Sequence, residues 1–307
     1  MPLDLTGKPL IDREDFDDLL ESGRFGRWGA HASQLHTQGF CLLKLRASAF
    51  LESLSTVVAD LQSLLSDELD LWERGEIGPP RIQDGWMTYP AIKELALEPI
   101  IHDLLRHLYG REPFAFQTLN FAVGSEQPYH SDAVHFHSFP RGFMCGVWIA
   151  LEDVMPDSGP LHYFPGSHRL PYLSADSLGL DPMAVAEEEH PQRFFQDHWH
   201  QYVRSERFEK QLFLPQRGEI LVWHANLLHG GEPVFDRSSR RWSQVVHYFF
   251  EDCLYTTPLQ SFKPVDGGPC FRNPYDISTG NLRYSNQTWQ ELGLEVPTAP
   301  PSSINPA

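Results

Sequence analysis

The residues best suited to chemistry begin at Tyr129-His130-Ser131-Asp132. In an extended backbone residues i and i+2 point the same way, so His130 and Asp132 offer an imidazole nitrogen and a carboxylate oxygen to one ion. Two candidates for a third ligand lie in Trp223-His224-Ala225-Asn226-Leu227-Leu228-His229-Gly230-Gly231. His229 ranks first, because it stands before a double glycine that allows close backbone approach. His224 is the rival. Two imidazoles and one carboxylate on one face of an octahedral ion leave three positions open, the donor set used in non-haem Fe(II) oxygen chemistry. With 15 histidines in the chain, most are packed or solvated side chains, and only the convergence of this trio singles it out.

A second feature follows downstream. The run Arg240-Arg241-Trp242-Ser243-Gln244-Val245-Val246-His247 opens a strand with arginine. A guanidinium grips a carboxylate bidentately, which is what a small dicarboxylate chelating the same ion would need at its far end. Alternation places Arg241, Ser243, Val245 and His247 on one face and Arg240 and Trp242 on the other. Arg240 stays open as the alternative to Arg241. Without the trio, both arginines would read as surface partners for the 41 acidic residues.

These side chains need elements to hold them. Residues 47–71 carry Phe50, Leu51, Leu54, Val57, Val58, Leu61, Leu64 and Leu65, an apolar stripe at helical spacing. A second helix is expected from Pro99, a favoured first-turn position, to Gly110. Gly39–Leu45 reads as a buried strand. From about residue 114 the texture changes to short runs rich in Phe, Val, Trp and Tyr between Gly, Pro, Asp and Ser turns, as in Phe114–Val123, Met144–Leu151, Leu161–Pro165, Glu219–Trp223 and Trp242–Phe250. Such runs predict antiparallel sandwich or barrel structure. The expected fold is mainly β with flanking helices. One domain is expected over 1–294, with helical support to about 112, a β core over about 113–258, a partly helical insertion or lid over about 172–211, and a disordered Pro-rich tail over 295–307.

Composition narrows the function classes. The 307 residues hold 24 basic and 41 acidic side chains, a formal charge of −17. Nucleic-acid binding is disfavoured, because its affinity comes largely from Lys and Arg neutralising phosphates. The longest apolar run, Phe143–Leu151, is far shorter than the ~20 residues that span a bilayer. The first fifteen residues lack the layout of a signal peptide. Four scattered cysteines, none in a CxxC pair, fit reduced thiols in the cytoplasm.

Taken together, the chain resembles the phytanoyl-CoA dioxygenase family of Fe(II)/2-oxoglutarate-dependent oxygenases over roughly residues 34–258. The resemblance rests on Gly39–Leu45, Leu97–Phe114, His130-Ser131-Asp132, Val147–Asp153, Ser158-Gly159-Pro160-Leu161, Pro165-Gly166-Ser167-His168, His229-Gly230 and the arginine strand ending Glu251-Asp252-Cys253. It implies a double-stranded β-helix (jelly-roll, cupin-like) core with Fe(II) at its mouth on His130, Asp132 and His229, and 2-oxoglutarate and O2 as co-substrates. Family arginines stand six residues before a strand histidine, which selects Arg241 ahead of His247, with Ser243 on the same face. The loop from His229 to that arginine is one residue longer than the family pattern, which keeps Arg240 in play. Trp148 falls at a family position lining the 2-oxoglutarate pocket. Asn120 resembles a residue that hydrogen-bonds the co-substrate, with Gln117 and Thr118 as weaker candidates. The carboxylate of Asp132 stands where halogenases of the family have a small residue, so oxygenation is favoured.

The activity so implied is hydroxylation of an unactivated C–H bond of a small-molecule metabolite, with release of succinate and CO2. Desaturation, epoxidation or ring formation would use the same residues. His135, His137, Arg141 and His162 are the substrate candidates at the mouth. A zinc hydrolase using His/Asp/His and a metal-binding jelly-roll module without turnover are the readings from other classes.

Overall fold

The computed structural model describes residues 7–262 and 269–283, so the tail expected over 295–307 lies outside the described residues. Six helices precede most of the sheet: α1 (Phe16–Glu21), α2 (Gly29–Gln38), α3 (Ser48–Leu64), α4 (Ser66–Glu73), α5 (Pro90–Ala96) and α6 (Pro99–Tyr109). The helical stripe over 47–71 is therefore two helices, broken at Leu65. Buried Phe50, Leu54, Val57 and Leu61 form the inner face of α3. Pro99 opens α6, the Glu98 side chain accepts from the Ile100 N–H at 3.3 Å, and Gly110 closes the helix at φ 78°.

The strands are β1 (Phe40–Lys44), β2 (Arg81–Gln83), β3 (Pro113–Phe121), β4 (His137–Phe139), β5 (Met144–Ala150), β6 (Leu161–Tyr163), β7 (Gln211–Phe213), β8 (Glu219–His224), β9 (His229–Gly231), β10 (Ser243–Phe250) and β11 (Leu254–Thr256), followed by the short β12 (Phe271–Arg272), β13 (Tyr275–Asp276) and β14 (Asn281–Leu282). The major sheet runs β1-β8-β5-β10-β3-β2 and the minor sheet β7-β6-β9. Every pairing is antiparallel.

This is a jelly roll with helical support. One face of the major sheet buries Val147, Ile149, Ile220, Val222 and Val246 in a core shared with α2, α3, α5 and α6. The other face meets the minor sheet around Phe121, Trp148, Leu161, Leu221, Trp223 and Val245. Alternation along β5, β8 and β10 sends neighbouring side chains to different cores. The 172–211 segment carries α7 (Pro182–Glu187) and α8 (Arg193–Ser205). It packs Leu173, Val185, Phe195 and Trp199 onto Val134, Phe164 and Leu228, beside the segments that hold the site.

Candidate active site

The trio converges. His130 and His229 come from segments 99 residues apart, joined by a two-residue antiparallel bridge in which His130 N–H donates to His229 O at 2.9 Å and His229 N–H to His130 O at 3.0 Å. Asp132 opens a short 3-10 turn, Asp132–Val134, whose first turn is fastened by the Ser131 hydroxyl accepting from Ala133 N–H. One ligand atom from each of His130, Asp132 and His229 lies within 4.8 Å of the others. The Asp132 Oδ1 is 3.5 Å from His130 Nε2 and 3.8 Å from His229 Nε2.

The surroundings orient all three. His130 Nδ1 lies 3.0 Å from the Pro128 carbonyl and His229 Nδ1 3.0 Å from the Leu227 carbonyl. Each Nδ1–H therefore donates to backbone, which leaves both Nε2 lone pairs facing the shared point. Asp132 Oδ2 accepts from Trp223 Nε1 at 2.8 Å, and His247 Nε2 stands 3.4 Å from the same oxygen. Oδ1 is thus the oxygen left for an ion. Burial pushes the His229 imidazole down to about 4, keeping it neutral at pH 7. Burial opposes ionisation of Asp132, but the adjacent histidines outweigh it and hold the carboxyl well below its usual range. Three converging donors with oriented partners fit an octahedral divalent metal such as Fe(II).

His224, the rival ligand, faces the helical side. Its Nε2 is 3.2 Å from Asp12 Oδ2 and its Nδ1 accepts from Asn226 N–H. The Pro165–His168 segment has a structural task beside the trio. Ser167 Oγ accepts from Leu228 N–H at 2.9 Å, and Asn226 bridges Ser131 Oγ to the carbonyls of His168 and Leu170. His168 packs so closely on Gly39 (φ 82°) that a β-carbon there would collide with its ring.

A cavity of about 170 Å³ contains the trio and is walled by Gln117, Leu119, Phe121, Trp148, Trp223, Arg241, Val245 and His247, among others. Arg241 is 1% exposed. It donates to the Gly159 carbonyl at 2.9 Å, its guanidinium lies 5.5 Å from the Trp148 ring centre, and its Nε has no partner. Burial pulls its pKa down to about 10, so it remains cationic at neutral pH. Arg240 points elsewhere and pairs with Glu73. Ser243 is fully buried with an unpartnered hydroxyl, though it is not one of the wall residues.

Several expected positions differ. Asn120 faces the helices, where it donates to Gln244 Oε1 at 3.1 Å, and Thr118 has the same parity on β3. Of the three β3 candidates only Gln117 is on the cavity wall, 2.9 Å from His247 Nδ1. Of the four mouth candidates, only His135 lines the cavity. His137 is buried against Tyr172, Arg141 lies over the Tyr172 ring, and His162, also buried, points away from the cavity on β6 towards Glu232, 2.7 Å away. Sequence reasoning missed Trp223, Arg81, Gln83, Gln127 and Gln192 on the wall. It also treated His247 only as a landmark, although its parity with Arg241 was the signal.

Fold and site together define a class: a jelly roll with a His/Asp/His trio and a buried arginine at its mouth, the architecture of 2-oxoglutarate oxygenases. The chain belongs to the phytanoyl-CoA dioxygenase (PhyH) family, whose model matches residues 35–242. It is similar to phytanoyl-CoA dioxygenase domain-containing protein 1 of Mus musculus (32% identity over 177 residues, 52% of each chain) and of Danio rerio (25% over 147 residues, 46% of each). The match spans about half the length of these curated relatives. Among solved structures, the fold resembles the α-ketoglutarate-dependent carbocyclase SnoK from nogalamycin biosynthesis (TM-score 0.55, 18% identity, 78% of this chain and 92% of that one). It likewise resembles EctD from S. alaskensis in its apo form (TM-score 0.55, 20% identity, 87% and 89%).

Proposed function

We propose that this chain is an Fe(II)- and 2-oxoglutarate-dependent dioxygenase that hydroxylates an unactivated C–H bond of a small-molecule metabolite. One observation carries the reading: Arg241, wholly buried and without an ion-paired carboxylate among the described residues, shares a cavity with the converged trio. Glu152 acts on this cation only from beyond ion-pair distance, and burying a cation with no anion in contact costs several kcal/mol unless an anion repays it. A dicarboxylate reaching from the metal to Arg241 is such an anion. A zinc hydrolase has no use for that cation.

His130, Asp132 and His229 would hold the metal, with Arg241 and the Trp148 and Phe121 walls around 2-oxoglutarate. When bound, iron and 2-oxoglutarate supply oxidative decarboxylation to succinate and CO2 and the oxidising power to hydroxylate a C–H bond. The protein's own part is positioning. The Nδ1–H bonds of His130 and His229 fix which nitrogens face the ion, and Trp223 fixes which carboxylate oxygen does. Arg241 acts in a low-dielectric pocket where its charge counts for far more than in water. Phe136, Leu161 and Val245 keep water from the reacting centre. The 172–211 insertion serves as a lid, supported by Gln192 lining the cavity and meeting His135 Nε2 at 2.8 Å.

Structural neighbours include a carbocyclase and an epimerase, so desaturation, epoxidation or ring formation on the same machinery is the second reading. The test is a metabolite screen scored by succinate release under Fe(II) and 2-oxoglutarate. Release should stop with a chelator, and a +16 product separates hydroxylation from a −2 outcome. Succinate release persisting in His130→Ala or Asp132→Ala protein would refute the ligand assignment. No helix among the described residues is long and apolar enough to cross a membrane. All four cysteines are free thiols, which supports a reducing, cytoplasmic setting.

A further inference from the structure

The sequence is strongly acidic, yet the cavity wall is not. Its only carboxylate is Asp132, already committed to the trio, while two arginines, Arg81 and Arg241, line it. Arg241 lies at the buried base. Arg81 stands at the exposed rim on the edge strand β2, where Arg81 pairs in register with Phe121 and Gln83 with Leu119. Both partners are wall residues. Alternation therefore aims Arg81 and Gln83 at the cavity and sends Ile82 back to the helical core, where it packs. Some arginines elsewhere pair with acids, among them Arg27 on Asp103, Arg106 on Glu112, Arg240 on Glu73 and Arg283 on Asp276. Arg81 makes no ion pair or hydrogen bond through its side chain among the described residues, in a chain with 41 acids available.

Resting on the oxygenase reading above, we infer that the substrate is a small molecule bearing an oxyanion, a carboxylate or a phosphate monoester, and that Arg81 grips it at the rim. The guanidinium fork matches either group bidentately. Gln127 and Ser125, also on the wall, add hydrogen-bonding capacity to the cavity. The volume of about 170 Å³ is below the ~300–1,000 Å³ of pockets for drug-sized ligands. It suits the co-substrate and the reacting end of a compact molecule. One rim guanidinium matches one anionic group rather than the several phosphates of a coenzyme A ester.

The experiment uses the full chain with Fe(II) and 2-oxoglutarate. The probes are small carboxylates and phosphate monoesters, each beside its methyl ester or parent alcohol, with short acyl-coenzyme A thioesters as a further arm. Succinate release and perturbation of the anaerobic Fe(II)–2-oxoglutarate charge-transfer band are both read. Hits should be confined to anionic members, and the carboxylate and phosphate arms tell the two groups apart. For the best hit, Arg81→Gln should raise KM ~10–100-fold with a much smaller change in kcat, and Arg81→Lys should recover part of the loss. Arg24→Gln, the same charge change on an exposed residue outside the cavity, sets the baseline for a general charge effect. Neutral members scoring as well as anions, no anion scoring, thioesters alone scoring, or an Arg81→Gln effect no larger than that of Arg24→Gln would each overturn the inference. A wild-type protein that forms no charge-transfer band would instead overturn the oxygenase reading.

Discussion

Trp223→Phe tests how the metal site is oriented. The indole Nε1 donates to Asp132 Oδ2 at 2.8 Å, and both residues are buried. A hydrogen bond to a charged group is worth about 1.5–3 kcal/mol. With phenylalanine, Oδ2 keeps only the longer contact to His247 at 3.4 Å, and the carboxylate can rotate away from the imidazoles. Loss of an outer partner of this kind costs ~10–100-fold in metal affinity. Fe(II) affinity measured anaerobically should fall by that factor. Phenylalanine also leaves a void, so urea unfolding of the metal-free protein separates stability from binding. Gly146→Ala approaches the same bond from the other side, because a β-carbon at Gly146 collides with the Trp223 ring and must displace it. Both variants should weaken Fe(II) beyond their loss of metal-free stability. Unchanged Fe(II) affinity in Trp223→Phe would refute the claim that this bond orients Asp132.

Two further outcomes follow from the same geometry. Arg241→Gln should lower 2-oxoglutarate affinity ~100-fold or more, as expected for a desolvated bidentate ion pair, whereas Arg240→Gln should leave it within about twofold, since Arg240 pairs with Glu73 outside the cavity; titration of the Fe(II)-loaded variants decides. Burial holds His137 down at about 4 and His168 at about 3, against an ordinary value near ~6.5. The unfolded chain then binds more protons below pH ~6.5, so stability is intact above that pH and declines as pH falls towards 4. Each such group contributes a slope of about 1.4 kcal/mol per pH unit. Urea midpoints at pH 7, 6 and 5 should show the decline, and His137→Gln should flatten it. An identical slope in that variant would contradict the assignment to His137.

Local periodicity alone made part of this site legible. Two-residue spacing put His130 beside Asp132 and Arg241 opposite Arg240, and Pro99 and Gly110 bounded α6. These follow from backbone geometry alone. The tertiary structure decided everything that depends on which face meets which core. Gln117 and Asn120 have opposite parity on β3, so one had to miss the cavity, and only the pairing with β10 shows that Asn120 is the one. His224 fails as a ligand for the same reason, because Ile220 and Val222 of its parity belong to the helical core while Leu221 and Trp223 face the minor sheet. Nearness in sequence misled at His137, Arg141 and His162, since a turn or a single step along a strand redirects a side chain. Arg81, Gln192 and Trp223 come from an edge strand, the N-cap of α8 and a central strand, and sequence periodicity places none of them at the cavity. Their meeting is a consequence of sheet order and packing, which no window along one strand contains.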